Sequence, residues 1–309
     1  MVKYQNFWCR TIQLKGLKPI IYYQKHFKAK DTDIIIASQP KTGATWLKSL
    51  LFTIVNRLNP DHLPLNEKSP LLEHNPHELV YFLEHGVYAG NSRLPSPQQL
   101  DELASPRLLH THLPYASLPE SIRTSPCKIL CIARNPFDTF VSNWHWQAKL
   151  IKNLDEDDEF QPPRMEDFLE DFCNGKFPFG PYFDHVVEFW KLSIQQPNKI
   201  LFLKYEDLKG DEGIIHFKKL AEFVGFPFSA QEESEGSIDD IIELCNFNNL
   251  KNLEVNKTGF MNKMVEMKNF FRKREVGDWT NYFTPTMVER FNILIKEKFQ
   301  GTGLCFQVE

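Results

Sequence analysis

The residues best suited to chemistry begin in a short polar segment that follows an apolar run, Ser38-Gln39-Pro40-Lys41-Thr42-Gly43-Ala44-Thr45-Trp46. Gly43 lets the backbone come close to a ligand, and the N–H groups at the start of the following helix point outward. Lys41 adds a full positive charge, and Thr42 and Thr45 add hydroxyl donors. The segment therefore predicts an anion-binding loop at the end of a strand.

The order of residues differs from that of a Walker A loop. That motif places glycines before its lysine, whereas Lys41 precedes Gly43 here. A sulfonyl group carries less negative charge than a phosphoryl group, whose transfer usually requires Mg²⁺. The sequence therefore favours group transfer without a metal, and a nucleotide-dependent kinase with a variant P-loop is the alternative.

Two further cationic segments follow. Arg134 comes directly after another apolar run, and Ser142 lies two helical turns further on. An arginine in this position can bind a phosphate with two parallel N–H bonds, although it can equally pair with Asp138. The third segment, residues 272–274, is Arg-Lys-Arg and precedes Gly-Asp-Trp at 277–279. A basic triplet most often lies on a solvated surface. The aromatic residues around this one instead favour a segment that covers a binding site as a lid.

The elements that would position these residues are apolar, β-branched runs, each followed by an amphipathic helix. Strands are predicted at 33–38, 128–133 and 199–205, and the helices after them at 45–56, 136–151 and 213–224. Further helices are expected at 77–83, 181–195 and 286–299. The order predicts an α/β fold: a single domain over residues 1–309, with a central parallel sheet flanked by helices and an irregular segment up to about residue 23. Because ligands bind at the carboxyl ends of such strands, the three cationic segments are expected to meet there.

Composition excludes several classes of protein. A formal net charge of −4 argues against a general binder of nucleic acid or of anionic membranes. No apolar run approaches the length of about 18 residues needed to span a membrane. Six scattered cysteines without a C-x-x-C pair are expected to be reduced thiols of a cytoplasmic protein. The 26 phenylalanines indicate either a Phe-rich core or an aromatic pocket, and the acidic run at 155–159 is expected to be a surface loop.

These segments together resemble the cytosolic sulfotransferases that use 3′-phosphoadenosine 5′-phosphosulfate (PAPS), and among them the soluble plant branch. The family's phosphosulfate loop, P-K-[ST]-G-[TS]-T-W, corresponds to residues 40–46, and its 3′-phosphate segment, R-N-P-x-D-x-x-V-S, to residues 134–142. Its carboxy-terminal signature, R-K-G-x-x-G-D-W, corresponds to residues 272–279 except at Arg274. The likeness extends from about Gln24 to Phe306. It implies a P-loop-kinase-like sulfotransferase fold and transfer of a sulfonate from PAPS to the hydroxyl of a small acceptor.

The resemblance also implies a role for each site residue. His112 would be the general base, and Lys41 would bind the phosphosulfate and neutralise charge on its bridging oxygen. The remaining phosphosulfate contacts would come from Thr42, Gly43, Ala44 and Thr45. The 3′-phosphate would be bound by Arg134, Ser142, Arg272, Lys273 and the backbone N–H of Arg274. The adenine would lie between Trp46 and Phe247, with Tyr205 at its edge.

This chain departs from the family pattern in three places. Ala44 replaces a Thr or Ser, so one hydroxyl donor is lost and a modestly lower cofactor affinity is expected. Arg274 replaces a glycine and would be strained if the backbone there is left-handed. Otherwise its side chain would add a phosphate contact. His110 stands where animal members have a lysine, so help from a cation at that position is in doubt.

The acceptor is expected to be a flat phenol or alcohol, because the variable segments 76–88, 114–116, 144–149 and 257–268 are rich in aromatic residues and methionine. Plant relatives use flavonoids, steroids or jasmonates, and a flavonol is our first expectation. The family's dimerisation segment survives only as Thr280, Thr284, Pro285 and Glu289, which predicts a monomer. A non-catalytic protein that binds a nucleotide or hormone is a second alternative, but it would not need both Lys41 and His112.

Overall fold

The protein is built around a central sheet of five strands, described here from a computed structural model. The structure describes residues 1–9, 14–153, 163–262 and 265–307. The strands are β1 (Val2–Tyr4), β2 (Phe7–Cys9), β3 (Ile34–Ala37), β4 (Tyr81–Phe82), β5 (Leu108–Thr111), β6 (Lys128–Ala133), β7 (Ile200–Lys204), β8 (Phe260–Asn262) and β9 (Val265–Glu266). The central sheet has the order β4-β5-β3-β6-β7 and all its neighbouring strands are parallel. The other strands form two hairpins, β1-β2 and β8-β9.

Helices surround the sheet. They are α1 (Leu14–His26), α2 (Ala44–Asn56), α3 (Leu65–Lys68), α4 (Pro76–Leu79), α5 (Pro97–Glu102), α6 (Glu120–Thr124), α7 (Pro136–Lys152), α8 (Met165–Cys173), α9 (Tyr182–Gln195), α10 (Tyr205–Lys209), α11 (Gly213–Phe223), α12 (Ala230–Ser234), α13 (Ser237–Leu244), α14 (Phe247–Asn252), α15 (Glu254–Lys257) and α16 (Pro285–Phe299). Short 3₁₀ turns lie at 60–62, 70–72, 115–117, 267–270 and 278–281, and a π-helical turn at 83–87.

The three predicted strands are confirmed as β3, β6 and β7, and the helices after them as α2, α7 and α11. Strands β4 and β5 were not predicted, because the second half of β5 is His110-Thr111, polar residues that are nevertheless buried. The predicted helix at 77–83 is wrong in its second half, since α4 ends at Leu79 and the chain continues as β4. The predicted irregular N-terminal segment is also wrong. It holds the β1-β2 hairpin and most of α1, whose helical pattern is interrupted by Pro19.

Alternate residues of the central strands supply two separate cores. Ile34 and Ile36 of β3 belong to one buried cluster, and Ile35 and Ala37 belong to the other. Successive side chains of a strand point to opposite faces, so both faces of this sheet are covered. This explains why the strand residues are apolar throughout and do not alternate with polar ones.

Phenylalanine dominates a third cluster, beside α7, α9 and α16. Phe291 is fully buried, and its ring centroid lies 4.8 Å from that of Phe137 and 5.6 Å from that of Phe172. The expectation of a Phe-rich core is confirmed for this cluster. Other phenylalanines lie around His112, as described below, so the aromatic-pocket interpretation applies to part of the set.

Strand register brings the polar loops together. Ala37, the last residue of β3, pairs with Thr111 of β5, so Ser38 and His112 follow side by side. On the other flank Ala133 of β6 pairs with Lys204 of β7, which places Arg134 next to Tyr205. All these loops leave from the carboxyl edge of the sheet, as predicted.

None of the helices that the structure describes is both long and apolar enough to cross a membrane. All six cysteines are free thiols. The acidic run at 155–159, expected to be a surface loop, lies outside the described residues.

Candidate active site

Two residues of the loop after β3, Lys41 and Gly43, have a left-handed backbone, and at Gly43 a close contact also excludes a side chain. Gly43 caps α2 with a φ of 110°, a left-handed value that L side chains rarely adopt. A Cβ placed there would lie 2.5 Å from Cδ2 of Tyr205. Gly43 therefore allows the loop to close against Tyr205 at the start of α10 and leaves the first N–H groups of α2 directed at the pocket.

A single pocket at the sheet edge gathers the predicted residues. Its lining includes all of them except Thr42: Lys41, Gly43, Ala44, Thr45, Trp46, His112, Arg134, Ser142, Tyr205, Phe247, Arg272, Lys273 and Arg274. Thr42 is buried, and its hydroxyl donates to the carbonyl of Gln39 at 2.9 Å. Only the backbone of Thr42 is therefore available to a ligand, and the expected hydroxyl contact is not formed.

Lys41 lies within the pocket with its Nζ 4.2 Å from the ring centroid of Trp146. Removal from bulk water, together with the positive charges of Arg272, Lys149 and Arg134, lowers the pKa of Lys41 to about 7. An anion in the pocket would oppose both effects, because it stabilises the ammonium form. The pocket therefore suits an anionic ligand.

Three arginines of the pocket have unused donors. The Nε atoms of Arg134, Arg272 and Arg274 are buried without a hydrogen-bond partner. Arg134 does pair with Asp138, at 3.3 Å, so the structural role considered for it is present as well. Buried donors normally have acceptors, so three arginines with unpaired Nε atoms in one pocket fit a polyanionic ligand.

Two carboxylates hold the segment 272–279 against the pocket. The carboxylate of Asp138, on α7, accepts the backbone N–H groups of Gly277 and Trp279 at 2.9 and 3.2 Å. Asp278 accepts hydrogen bonds from Arg272 and Lys273 at 2.5 and 2.9 Å. The segment therefore has the contacts expected beneath a lid, and its role as a lid stays a prediction.

Arg274 occupies the position where the family has glycine, and its φ is 63°. Its carbonyl accepts hydrogen bonds from Tyr205 and Lys209, and its guanidinium lies 4.1 Å from the ring centroid of Trp46. The backbone therefore has the left-handed conformation that glycine adopts without strain. The cation–π contact compensates for part of that cost.

We expect Arg274→Gly to be more stable than Arg274→Ala by about 1 kcal/mol, because Ala keeps the Cβ that is strained at a positive φ. Both variants lose the contact with Trp46, so their difference isolates the backbone. Urea denaturation of the two variants measures it. Alanine is the more stable residue in ordinary helical positions, so an Ala variant at least as stable as the Gly variant would contradict a left-handed Arg274.

His112 has a defined orientation. Its Nδ1 lies 2.6 Å from the carbonyl oxygen of Ser38 and donates to it, which leaves a lone pair on Nε2. Its backbone N–H donates to the carboxylate of Glu84 at 2.6 Å. Burial lowers the pKa of His112 to about 3, so the imidazole is neutral near pH 7. A neutral ring with an open Nε2 can accept a proton from a ligand in the pocket.

A family model described as "Sulfotransferase domain" matches residues 31–303 of the chain. The chain belongs to the sulfotransferase family. The sulfotransferase is 42% identical over 305 residues to cytosolic sulfotransferase 15 of Arabidopsis thaliana, covering 99% of this chain and 81% of that protein. It is 46% identical over 308 residues to a flavonol sulfotransferase-like protein of Flaveria bidentis, covering 99% and 93%.

Solved structures give the same result. A mouse sulfotransferase in complex with PAP (3′-phosphoadenosine 5′-phosphate) superposes with a TM-score of 0.70 at 26% identity, covering 97% of this chain and 95% of that one. The fold is therefore that of the sulfotransferases, as expected. The unpaired Nε atoms of three arginines and the glycine-dependent loop of this chain fit an anionic nucleotide of this kind.

Several pocket residues of the sulfotransferase were not predicted individually. Trp146, Phe270 and His77 line the pocket, and His77 stacks on Phe270 with a centroid distance of 4.0 Å. His77 and Trp146 lie within two segments expected to line the acceptor site, whereas Phe270 lies just beyond a third. The signal in the sequence for these residues was the aromatic content of the variable segments. That content indicates a region of the chain but does not identify individual pocket residues.

Among the described residues there is no group of three or more His, Cys, Asp or Glu side chains arranged to hold a metal ion. His110, which stands at the lysine position of animal members, is buried beside His112 with a centroid distance of 4.5 Å. Burial lowers the pKa of His110 well below its usual range, so it supplies no positive charge there.

Proposed function

We propose that this sulfotransferase moves a sulfonate from PAPS to the hydroxyl of a flat phenolic acceptor, with His112 as general base. The observation that carries the proposal is the pairing, in one pocket, of a neutral imidazole whose Nε2 is open with an anion loop and three arginines with unpaired Nε atoms. A binding protein would need the arginines only. A base in the same pocket is what transfer requires.

The roles proposed for the nucleotide-binding residues follow their positions. Lys41 and the N–H groups of Gly43, Ala44 and Thr45 hold the 5′-phosphosulfate at the start of α2. Arg134, Ser142, Arg272, Lys273 and Arg274 bind the 3′-phosphate, with Asp278 giving up part of its pairing as the phosphate enters. Trp46 and Phe247 enclose the adenine beside Tyr205. The Arg274 guanidinium lies on the Trp46 ring, so it must move away if the adenine stacks on that same face.

In the transfer step, His112 Nε2 removes the proton of the acceptor hydroxyl as its oxygen bonds to sulfur. The bond between sulfur and the bridging oxygen breaks, and its electron pair leaves with PAP. Lys41 neutralises the charge that develops on that oxygen, an interaction strongest in the transition state. Backbone donors of the loop need no reorganisation at that moment. The products are PAP, the sulfate ester and a protonated His112.

A planar aromatic acceptor suits the surroundings of His112. The ring centroids of Phe82 and Phe179 lie 4.9 and 5.2 Å from that of His112. Trp146 and Phe270, on another side of the pocket, are 5.3 Å apart. Flat rings pack well between such side chains. A flavonol is our first candidate, and the similarity to a relative named flavonol sulfotransferase-like supports it.

Two measurements test the proposal. Isothermal calorimetry should give tight binding of PAP and negligible binding of ATP, because ATP lacks the 3′-phosphate. The reverse result would favour the kinase alternative. A screen with radiolabelled PAPS over flavonols, steroids and hydroxyjasmonate should show transfer, with flavonols preferred. Binding of PAP without transfer to any class would favour a non-catalytic binding protein.

We further propose that the chain is a monomer, because the lysine and valine of the family's dimerisation segment are missing and Pro285 removes a backbone donor. Light scattering during size-exclusion chromatography should give the mass of one chain. A mass of twice that value would overturn this prediction. A cytoplasmic location is proposed from the relatives named cytosolic.

A further inference from the structure

A chain of polar groups runs from the interior to the wall of the pocket, through Lys48, His77 and Thr45. Lys48 is fully buried, and its Nζ lies 3.0 Å from the carbonyl oxygen of Val80 and 3.1 Å from Nδ1 of His77. The other ring nitrogen of His77, Nε2, lies 3.0 Å from Oγ1 of Thr45. Thr45 and Lys48 are three residues apart on one face of α2, so a single helix presents both ends of the chain.

The chemistry of these groups sets the direction of the hydrogen bonds. Burial lowers the pKa of Lys48 well below its usual range. The amine and the ammonium both carry hydrogens to donate, so the Val80 carbonyl accepts from Lys48, and in the proposed arrangement Nδ1 of His77 accepts as well. Burial lowers the pKa of His77 well below its usual range, so the ring is neutral and carries one proton. With Nδ1 accepting, that proton is on Nε2 and is donated to Thr45. The hydroxyl proton of Thr45 is then free to point into the pocket.

The orientation of Thr45 matters more in this chain than a loop hydroxyl usually would. Within the loop 38–46, all of which the structure describes, Ser38 lies 3.3 Å from Nε2 of His110 and Thr42 donates to Gln39. Ala44 has no hydroxyl. Thr45 is therefore the hydroxyl of the loop that lines the pocket.

We propose that Lys48 and His77 form a relay that fixes the Thr45 hydroxyl as a hydrogen-bond donor to the 5′-phosphate end of the nucleotide. The proposal rests on the proposed use of the loop for PAPS. Lys48 and His77 are positioning residues that act through Thr45. Stacking on Phe270 holds the His77 ring in place. An anion at the loop also stabilises the charged form of Lys48, which strengthens the donor direction.

A double-mutant cycle tests the relay, with PAP as the ligand and calorimetry as the readout. Thr45→Val removes the hydroxyl at constant volume, and His77→Phe keeps a ring on Phe270 but removes both nitrogens. Each variant should weaken PAP binding about tenfold, the scale of one hydrogen bond to a charged group. The double variant should bind no more weakly than Thr45→Val alone, because His77 acts through Thr45. His77→Gln, whose amide can donate near the Nε2 position, should recover part of the affinity.

Controls separate the relay from other causes. Thr53→Val is the matched control, because Thr53 is a buried hydroxyl on the same helix that donates to Ser49, away from the pocket. It should leave PAP binding unchanged. Lys48→Met replaces the amine by an apolar chain of similar length and gives an independent test of the relay. Lys48→Met should also weaken PAP binding, and it tests the relay even if His77→Phe does not fold.

Three results would overturn the relay. Unchanged affinity in Thr45→Val would mean that Thr45 donates to His77 and not to the ligand. Unchanged affinity in folded His77→Phe, or losses that add in the double variant, would mean that His77 does not act through Thr45. Failure of the unaltered protein to bind PAP would instead overturn the proposed function, so the two failures are distinguishable.

Discussion

His112→Ala is expected to lower kcat by about 100-fold or more, the scale of a lost general base. The hydrogen bond from Nδ1 to Ser38 holds the ring so that Nε2 carries the lone pair, and alanine removes both. Sulfate transfer from radiolabelled PAPS, measured at saturating acceptor, gives kcat. PAP affinity should stay within about twofold, because His112 is not among the residues proposed to bind the nucleotide.

His112→Asn is the matched variant for this prediction. Its amide can still donate to Ser38 but offers no basic nitrogen, so it should be as slow as alanine. Near-normal turnover in either variant would remove His112 from the mechanism. The protonation state can be checked separately by NMR of the free protein. With a pKa of about 3, the imidazole signal that disappears in His112→Asn should not titrate between pH 5 and 8. A titration near pH 6.5 would contradict the buried, neutral ring.

Lys41→Met should lower kcat by a similar factor of about 100, because the ammonium acts on charge that develops in the transition state. It should also weaken PAP binding. Both effects arise from the ammonium group of Lys41, which lies near the positive charges of Arg272, Lys149 and Arg134. Transfer assays and calorimetry measure them separately, and a variant that loses affinity but keeps kcat would place Lys41 in binding alone.

The pKa of Lys41 makes this prediction dependent on pH. Because its pKa is about 7, Lys41 is mostly charged below pH 7 and becomes neutral above it. The bound anion favours the charged form, so PAP binding should take up a proton, and affinity should fall as the pH rises from 7 to 9.

Lys41→Arg keeps its charge throughout that range and should bind PAP with a weaker dependence on pH. Calorimetry in buffers of different ionisation enthalpy measures the proton uptake. Equal uptake in the unaltered protein and in Lys41→Arg would show that Lys41 is charged before PAP binds.

Two buried carboxylates hold the segment 272–279 beside the pocket. Asp138 fixes the backbone of 277–279 to α7 and also pairs with Arg134, whereas Asp278 pairs with Arg272 and Lys273. Because Asp138 also binds backbone N–H groups, we expect it to stay in place when a ligand arrives. Arg134, Arg272 and Lys273 are side chains that a 3′-phosphate would also attract. A site of this kind keeps its cations oriented and prevents them from extending into solvent.

The sequence by itself determined what depends on neighbours along the chain. The loop around Lys41 could be interpreted because a strand, a glycine and a helix start follow one another within ten residues. Gly43 indicated a backbone conformation that residues with a side chain rarely adopt, and the structure confirms its positive φ. The same local reasoning placed β6 before Arg134 and identified Arg274 as a residue that would be strained if its backbone were left-handed, which its φ of 63° shows it to be.

The tertiary structure decided what depends on strand register and on contacts between distant segments. His112 became part of the site because Ala37 pairs with Thr111 across more than 70 residues of sequence, and β5 was not recognisable from its composition. His77 and Lys48 gained their relation to Thr45 only because α4 packs on α2. The Thr42 hydroxyl is turned away from the pocket by a local contact, its hydrogen bond to the Gln39 carbonyl, because the direction of a side chain depends on how the loop closes. Local propensity specifies the elements, whereas packing specifies which of their side chains meet.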